Sequence, residues 1–225
     1  MTGLYCPVCG QRRTRRITFG RIFEKGAEQI LSLDSAFLRT VFSLATRPGS
    51  TCRQYLDGRR KPFMNPVKYV FVLATLFAVV NNVLDILPAS LPDNPQAVRL
   101  YKFIVSALSY LAYLYLLPVA LVQSWLFRRP RTGVAESYVI MLFFYGQFLV
   151  IGILLSVTGV YPTTYGLLIV RTCGFLYLLW LLAGLYRDTF LWTLVKGLLL
   201  YLIFNIFNMG SALLLGMAMG VRPPS

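Results

Sequence analysis

The first residues in the chain whose types could do chemistry are two cysteines followed by a run of arginines. Residues 5–16 read YCPVCGQRRTRR. Cys6 and Cys9 are spaced C-x-x-C with Gly10 after the second, the turn that presents two thiolates to one tetrahedral metal. A structural zinc takes four ligands, as two such pairs or as one pair with histidines. The sequence contains no histidine, and its other cysteines, Cys52 and Cys173, stand alone, the latter inside an apolar run. The motif is half a site. A degenerate knuckle, a knuckle completed by a second chain and a redox pair all fit it. The first two are favoured, because a thioredoxin-like pair belongs in a βαβ context that this sequence lacks. No cofactor is expected, with zinc held only if the site is shared between chains.

The missing histidine also removes Ser-His-Asp and Cys-His catalysis, HExxH zinc sites and haem ligation by histidine. There is no Walker loop, no dinucleotide glycine fingerprint and no pair of intramembrane carboxylates. Nothing is arranged for catalysis, and no enzyme activity is expected.

Polar residues inside apolar runs form the second set of candidates: Asn81, Asn82, Asp85, Gln147, Arg171, Asn205 and Asn208. Such groups are costly against lipid and face a bundle interior or a cavity. Counting along the spans puts Asp85 and Arg171 at similar depth with opposite charge. They are read as an ion pair that serves packing, with a polar pathway as the sharper alternative.

Charge supplies the third set. The 225 residues carry +14, and residues 1–68 hold 13 of the 22 Lys and Arg but 4 of the 8 acids. Arg12, Arg13, Arg15 and Arg16 lie in the head, and Arg59, Arg60 and Lys61 lie just before the first apolar run. Basic clusters tethered beside a membrane span point to anionic lipid headgroups rather than nucleic acid. Fixing topology is the plainer role for the same residues.

The elements that must position these groups are read from hydropathy. The chain is 57% hydrophobic and 13% charged, against about 25% charged in a soluble domain. Almost all of the deficit follows residue 68. The expected fold is all-α: a polytopic membrane protein of about five transmembrane helices, preceded by a basic cytoplasmic head and an amphipathic interfacial helix. The segments are 1–18 (head with half a zinc knuckle), 19–66 (amphipathic helix and Pro/Gly/Arg hinge), 67–220 (the bundle) and 221–225 (a short tail). No cleavable signal peptide is expected, since the first residues are polar and arginine-rich.

Phe19, Phe23, Ala27, Ile30, Phe37, Val41 and Leu44 share one helical face, with Asp34 the polar exception on it. This helix is suited equally to lying in the headgroup region and to docking on the bundle. Arg47-Pro48-Gly49 ends it, Asp57-Gly58 makes a turn, and Asn65-Pro66 opens the first span. The spans read as Val67–Leu87, Phe103–Phe127 with a kink at Pro118, Tyr138–Thr158, Thr164–Leu185 and Leu191–Met219. Lys68 is placed near the cytoplasmic surface. The Lys and Arg bias puts the N-terminus in the cytoplasm and the tail outside. Asn208, Ala212, Gly216 and Gly220 recur every four residues, a small-residue stripe suited to close helix approach within the chain or in a homo-oligomer.

CPVCGQ, Asp34, Arg47-Pro48-Gly49, Tyr55, Gly58-Arg59-Arg60 and Pro66 together resemble an uncharacterised family of bacterial membrane proteins, a domain of unknown function. That family has a CPxCGQ start, a Pro-Gly hinge and a Tyr-x-x-Gly-Lys/Arg-Arg stretch. The likeness covers about residues 5–70. Many members carry an earlier CxxCG pair that completes a four-cysteine ribbon, and no such pair precedes Cys6 here. The resemblance implies a bacterial inner-membrane location and supplies no activity. The layout of a basic segment before about five spans is also distantly similar to the Yip family of trafficking proteins. The resulting expectation is a non-enzymatic scaffold, or a lipid-interacting, trafficking-like membrane protein. The alternative is a small-solute or ion permease built around Asp85, Asn81 and Arg171.

Overall fold

A computed structural model describes residues 35–87, 94–127, 133–186 and 189–218 of the chain. The described residues form helices joined by turns, with no strand among them. Two short helices come first, α1 (Ala36–Thr46) and α2 (Pro48–Leu56). Five long apolar ones follow: α3 (Pro66–Val83), α4 (Pro95–Leu126), α5 (Val134–Val157), α6 (Gly166–Tyr186) and α7 (Phe190–Ala218). Each of the five is long and apolar enough to cross a membrane. The chain is an all-α polytopic membrane protein.

Local chemistry sets the helix starts. Asn65 accepts from the Val67 N–H at 2.9 Å and Pro66 takes the first helical position, where a missing N–H costs nothing. Asn94 and Pro95 repeat the device at α4, with Asn94 accepting from Gln96 N–H at 2.9 Å. At α5 the Glu136 carboxylate turns back to accept from the Gly133 N–H at 2.9 Å.

α5 is the hub and packs against α3, α4 and α6. From Ala135 to Gln147 every one of its residues is buried, the signature of a helix surrounded by others. α7 is peripheral and turns Leu202, Ile206, Leu213 and Leu214 outward. These faces meet hydrocarbon rather than water, because exposed apolar area on this scale is an inside-out pattern for a soluble protein. Exposed Trp125 and Trp192 lie at the same end of the bundle, near the finish of α4 and the start of α7. That is where interfacial aromatics belong. We call this end proximal and the opposite end distal.

The register of α3 against α5 explains what the two short helices are for. Gly146 of α5 faces the Tyr69 ring and Gly152 faces the Phe77 ring, so α3 and α5 run in the same direction. Tyr69 lies within the first turn of α3, whereas Gly146 lies about 18 Å along α5. α3 therefore starts roughly 13 Å deeper in the bundle than α5. The space left beside the proximal parts of α5 and α6 is filled by α1 and α2, joined as an elbow at Arg47.

The end of α3 and the start of α4 differ from expectation. α3 ends at Val83, not Leu87: Leu84 and Asp85 form a turn, with Asp85 in the left-handed region at φ 48°. α4 begins at Pro95 rather than Phe103 and takes Arg99 and Lys102 into its first turns. At 32 residues it is about 48 Å long, longer than a hydrocarbon core of about 30 Å. Hydropathy marks the bilayer, not the helix, so the charged overhang was invisible to it. α4 also runs on as one helix through Pro118.

Candidate functional site

The elbow is built from the hinge residues upward. Arg47 leaves helical geometry at φ −143°, ψ 61°, which lets α1 stop and Pro48 begin α2. Thr51 fastens the two helices by donating to the carbonyls of Ser43 (3.0 Å) and Arg47 (2.9 Å). Thr40 accepts from the Met64 N–H at 2.8 Å, tying α1 to the approach of α3. Gln147 donates to the Val41 carbonyl at 2.8 Å, and Tyr177 donates to that of Leu44 at 3.2 Å. Gln147 thus ties α5 to α1. Phe37 meets the Tyr69 ring at 6.0 Å, and Tyr55 meets Phe143 edge-on at 5.1 Å.

α2 lies against the C-terminal end of α6. Gly49 packs directly on the Gly184 backbone. Arg53 donates from one guanidinium nitrogen to the Gly184 carbonyl (2.6 Å) and the Leu185 carbonyl (2.9 Å). Arg53 went unremarked in the sequence because no spacing rule links it to residues about 130 positions on. Cys52 is fully buried beside it, and burial pushes its thiol from 9.0 up to about 12. Burial also raises the Tyr55 hydroxyl to about 12, against a smaller opposing pull from Arg60.

Of the two orientations open to the amphipathic helix, its described part docks: Phe37, Val41 and Leu44 face the bundle. Leu38 and Phe42, 60% and 65% exposed, cover the outer side. The rest of that helix lies outside the described residues. So do Cys6, Cys9, Arg12, Arg13, Arg15, Arg16 and Asp34.

The basic turn after α2 divides in two. Gly58 takes φ 103° and turns the chain. Arg60 folds inward, donating to the Tyr55 carbonyl at 3.4 Å with its guanidinium 5.6 Å from the centre of the Tyr55 ring. Arg59 and Lys61 stay exposed, as does Arg47 at the elbow. Lys68, expected near the surface, is 1% exposed instead. The late start of α3 carries it into the bundle.

The distal polar set does not converge on one place. Asp85 pairs with Lys102, not with Arg171. Depth counted along two helices says nothing about which way each faces, and Asp85 has left its helix. Asn81 donates to the Phe77 carbonyl of its own helix at 2.8 Å, and Asn82 donates to that of Ala78 at 2.7 Å. Asn205 does the same to Tyr201 at 2.8 Å. We expect Asp85→Asn and Lys102→Gln to cost no more than about 1 kcal/mol each, since the Asp85 carboxylate is exposed and Lys102 is half-buried. Asp85→Asn and Arg171→Gln are expected to add within about 0.5 kcal/mol. A larger coupling in a double-mutant cycle on the detergent-solubilised chain would restore the pair first expected.

Arg171 and Asn208 do border one common space. They line a cavity of about 110 Å³ between α3, α4, α5, α6 and α7, with Ser109, Tyr145 and Tyr161 as further polar lining and Phe77, Val105, Phe148 and Leu149 as apolar wall. Asn208 donates to the Tyr115 hydroxyl at 3.0 Å, and Tyr201 donates to the Arg171 carbonyl at 2.6 Å. The tyrosines were passed over in the sequence. Their signal is position: Tyr115 and Tyr145 fall within spans, away from the interfaces where belt tyrosines sit. In the small-residue stripe, a Cβ at Gly216 would meet nothing within 4 Å, and Gly220 lies outside the described residues.

No curated protein and no solved structure matches the chain. The elbow and the first span it supports are the part with recognisable kin: residues 34–78 match the model of a family described as "Protein of unknown function (DUF3667)".

Proposed function

We propose that this is a non-enzymatic protein of a bacterial inner membrane whose proximal face is cytoplasmic and engages anionic lipid headgroups. The observation that carries the reading is the exposure of Arg47, Arg59 and Lys61 around a docked elbow, next to outward-facing Leu38 and Phe42. Apolar side chains enter the hydrocarbon there while cations meet the headgroups, the division of labour of interfacial segments. The Arg12, Arg13, Arg15 and Arg16 cluster adds charge on the same side of the first span, and the overall Lys and Arg bias orients that side inward.

The test uses the full chain in neutral detergent, with thermal unfolding followed as phosphatidylglycerol or phosphatidylcholine is added. The anionic lipid is expected to stabilise more, and 1 M salt to remove most of the difference. Each basic group near such a surface contributes about 1 kcal/mol before screening. At moderate salt, R47Q/R59Q/K61Q should weaken the apparent affinity for the anionic lipid about tenfold. Equal stabilisation by both lipids would sink the reading. The small-residue stripe of α7 is an additional candidate contact with a second copy.

A second reading, a small-solute or ion permease, is favoured by one observation, the Arg171 cavity. Flux measured in proteoliposomes separates it from the first.

A further inference from the structure

The geometry points to the Arg171 cavity as a binding site for a carboxylate carried on a short apolar stem. The lining holds a single formal charge, positive, and the neutral hydrogen-bonding side chains Ser109, Tyr145 and Asn208. No carboxylate lines it among the described residues. Among the described residues the Arg171 side chain has no ion-pair or hydrogen-bond partner. Arg171 is half-buried, and a guanidinium inside a span gains when an anion meets it. Its planar fork matches a carboxylate better than a monatomic ion.

The remaining wall selects what the carboxylate is attached to. Phe77, Phe148 and Leu149 reward an apolar stem and leave a second charged group unsolvated. The volume limits its length: about 110 Å³ is somewhat less than the cavity of about 150 Å³ that takes benzene in a protein core. A chain of about four carbons fills it. Arg171 lies about 8 Å from the distal end of α6, and exposed Leu167 forms one edge of the cavity. The carboxylate can come from distal water as a small free acid, or from the bilayer as the head of a longer fatty acid.

The experiment titrates the purified full chain with butyrate, with dodecanoate and with the neutral isostere butyramide, reading binding calorimetrically. Butyrate is expected to bind at least tenfold more tightly than butyramide. Arg171→Gln should abolish the difference, and Arg171→Lys, which keeps the charge but loses the fork, should weaken butyrate about tenfold. Asp85→Asn, outside the cavity, should leave binding unchanged. Butyrate binding assigns the aqueous source, and dodecanoate binding without butyrate binding assigns the bilayer. The butyrate–butyramide comparison needs no variant, so a misfolded Arg171→Gln does not blunt the test. Binding that ignores the charge of either ligand or residue, or the binding of neither acid, would overturn the proposal.

Discussion

Gly49→Ala is expected to unseat the elbow, with a loss of about 3 kcal/mol or more. A Cβ built at Gly49 would lie 2.5 Å from the Gly184 Cα and 2.5 Å from the Leu185 nitrogen. These are backbone atoms of a helix held on its other side by α5 and α7, so they cannot rotate aside as a side chain would. Overpacking a core against side chains costs about 1–3 kcal/mol, and a clash with backbone falls at or above the top of that range. The reverse substitution is the internal control. A Cβ at Gly184 would approach Gly49 at 3.2 Å, tight but within reach of a small shift. Gly184→Ala should therefore cost about 1 kcal/mol.

The readout is Cys52, in a chain whose other three cysteines are serine. Its thiol is fully buried and its titration is pushed up to about 12. At pH 8 the docked elbow keeps it protonated and inaccessible, and a maleimide should not label it. Gly49→Ala should expose it at neutral pH. Alkali should do so without any substitution. A thiol raised from 9.0 to about 12 contributes stability that is whole below pH 9 and is lost as pH climbs through about 12. Tyr55, raised from 10.0 to about 12, acts in the same direction. Equal labelling of the wild type and Gly49→Ala would mean that the close approach of Gly49 and Gly184 does not hold α2 in place.

The legible parts of the chain were those whose physics is local. Asn65-Pro66 announces the start of α3 because capping and a fixed φ act within two residues. Arg47-Pro48-Gly49 announces the elbow for the same kind of reason. The five spans follow from the length of their apolar runs. What stayed hidden depends on how helices sit against each other. Lys68 looked superficial because spans were assumed to start in one plane, and α3 does not. Asp85 and Arg171 looked like partners because depth can be counted along a helix while facing cannot. The cavity combines one foreseen cation, one foreseen amide and tyrosines from other helices, and no single run of sequence displays that combination. The match at residues 34–78 has a physical counterpart, since this stretch carries the elbow and most of the span that rests on it.

Arg53→Met is expected to cost about 3 kcal/mol. The carbonyls of Gly184 and Leu185 fall in the last turn of α6, where no further N–H of that helix is available to them. They also carry the negative end of its dipole. Arg53 supplies two charge-assisted hydrogen bonds to that end, each worth about 1.5–3 kcal/mol, and partial exposure brings the sum down to the lower part of the range. Methionine keeps much of the apolar stem, so the loss reports the guanidinium and not the packing. Arg53→Lys should recover about half, because an ammonium keeps the charge but is strongly hydrated on a flexible stem, held less firmly than the guanidinium nitrogen that reaches both carbonyls. The measurement is unfolding of the detergent-solubilised chain, repeated in the Gly184→Ala background. There the shift that accommodates the new methyl group displaces the carbonyls Arg53 uses, so the two losses should add to less than their sum. Strictly additive losses would show that the glycine contact and the arginine bonds hold α2 to α6 independently, and the elbow would then be two fastenings rather than one.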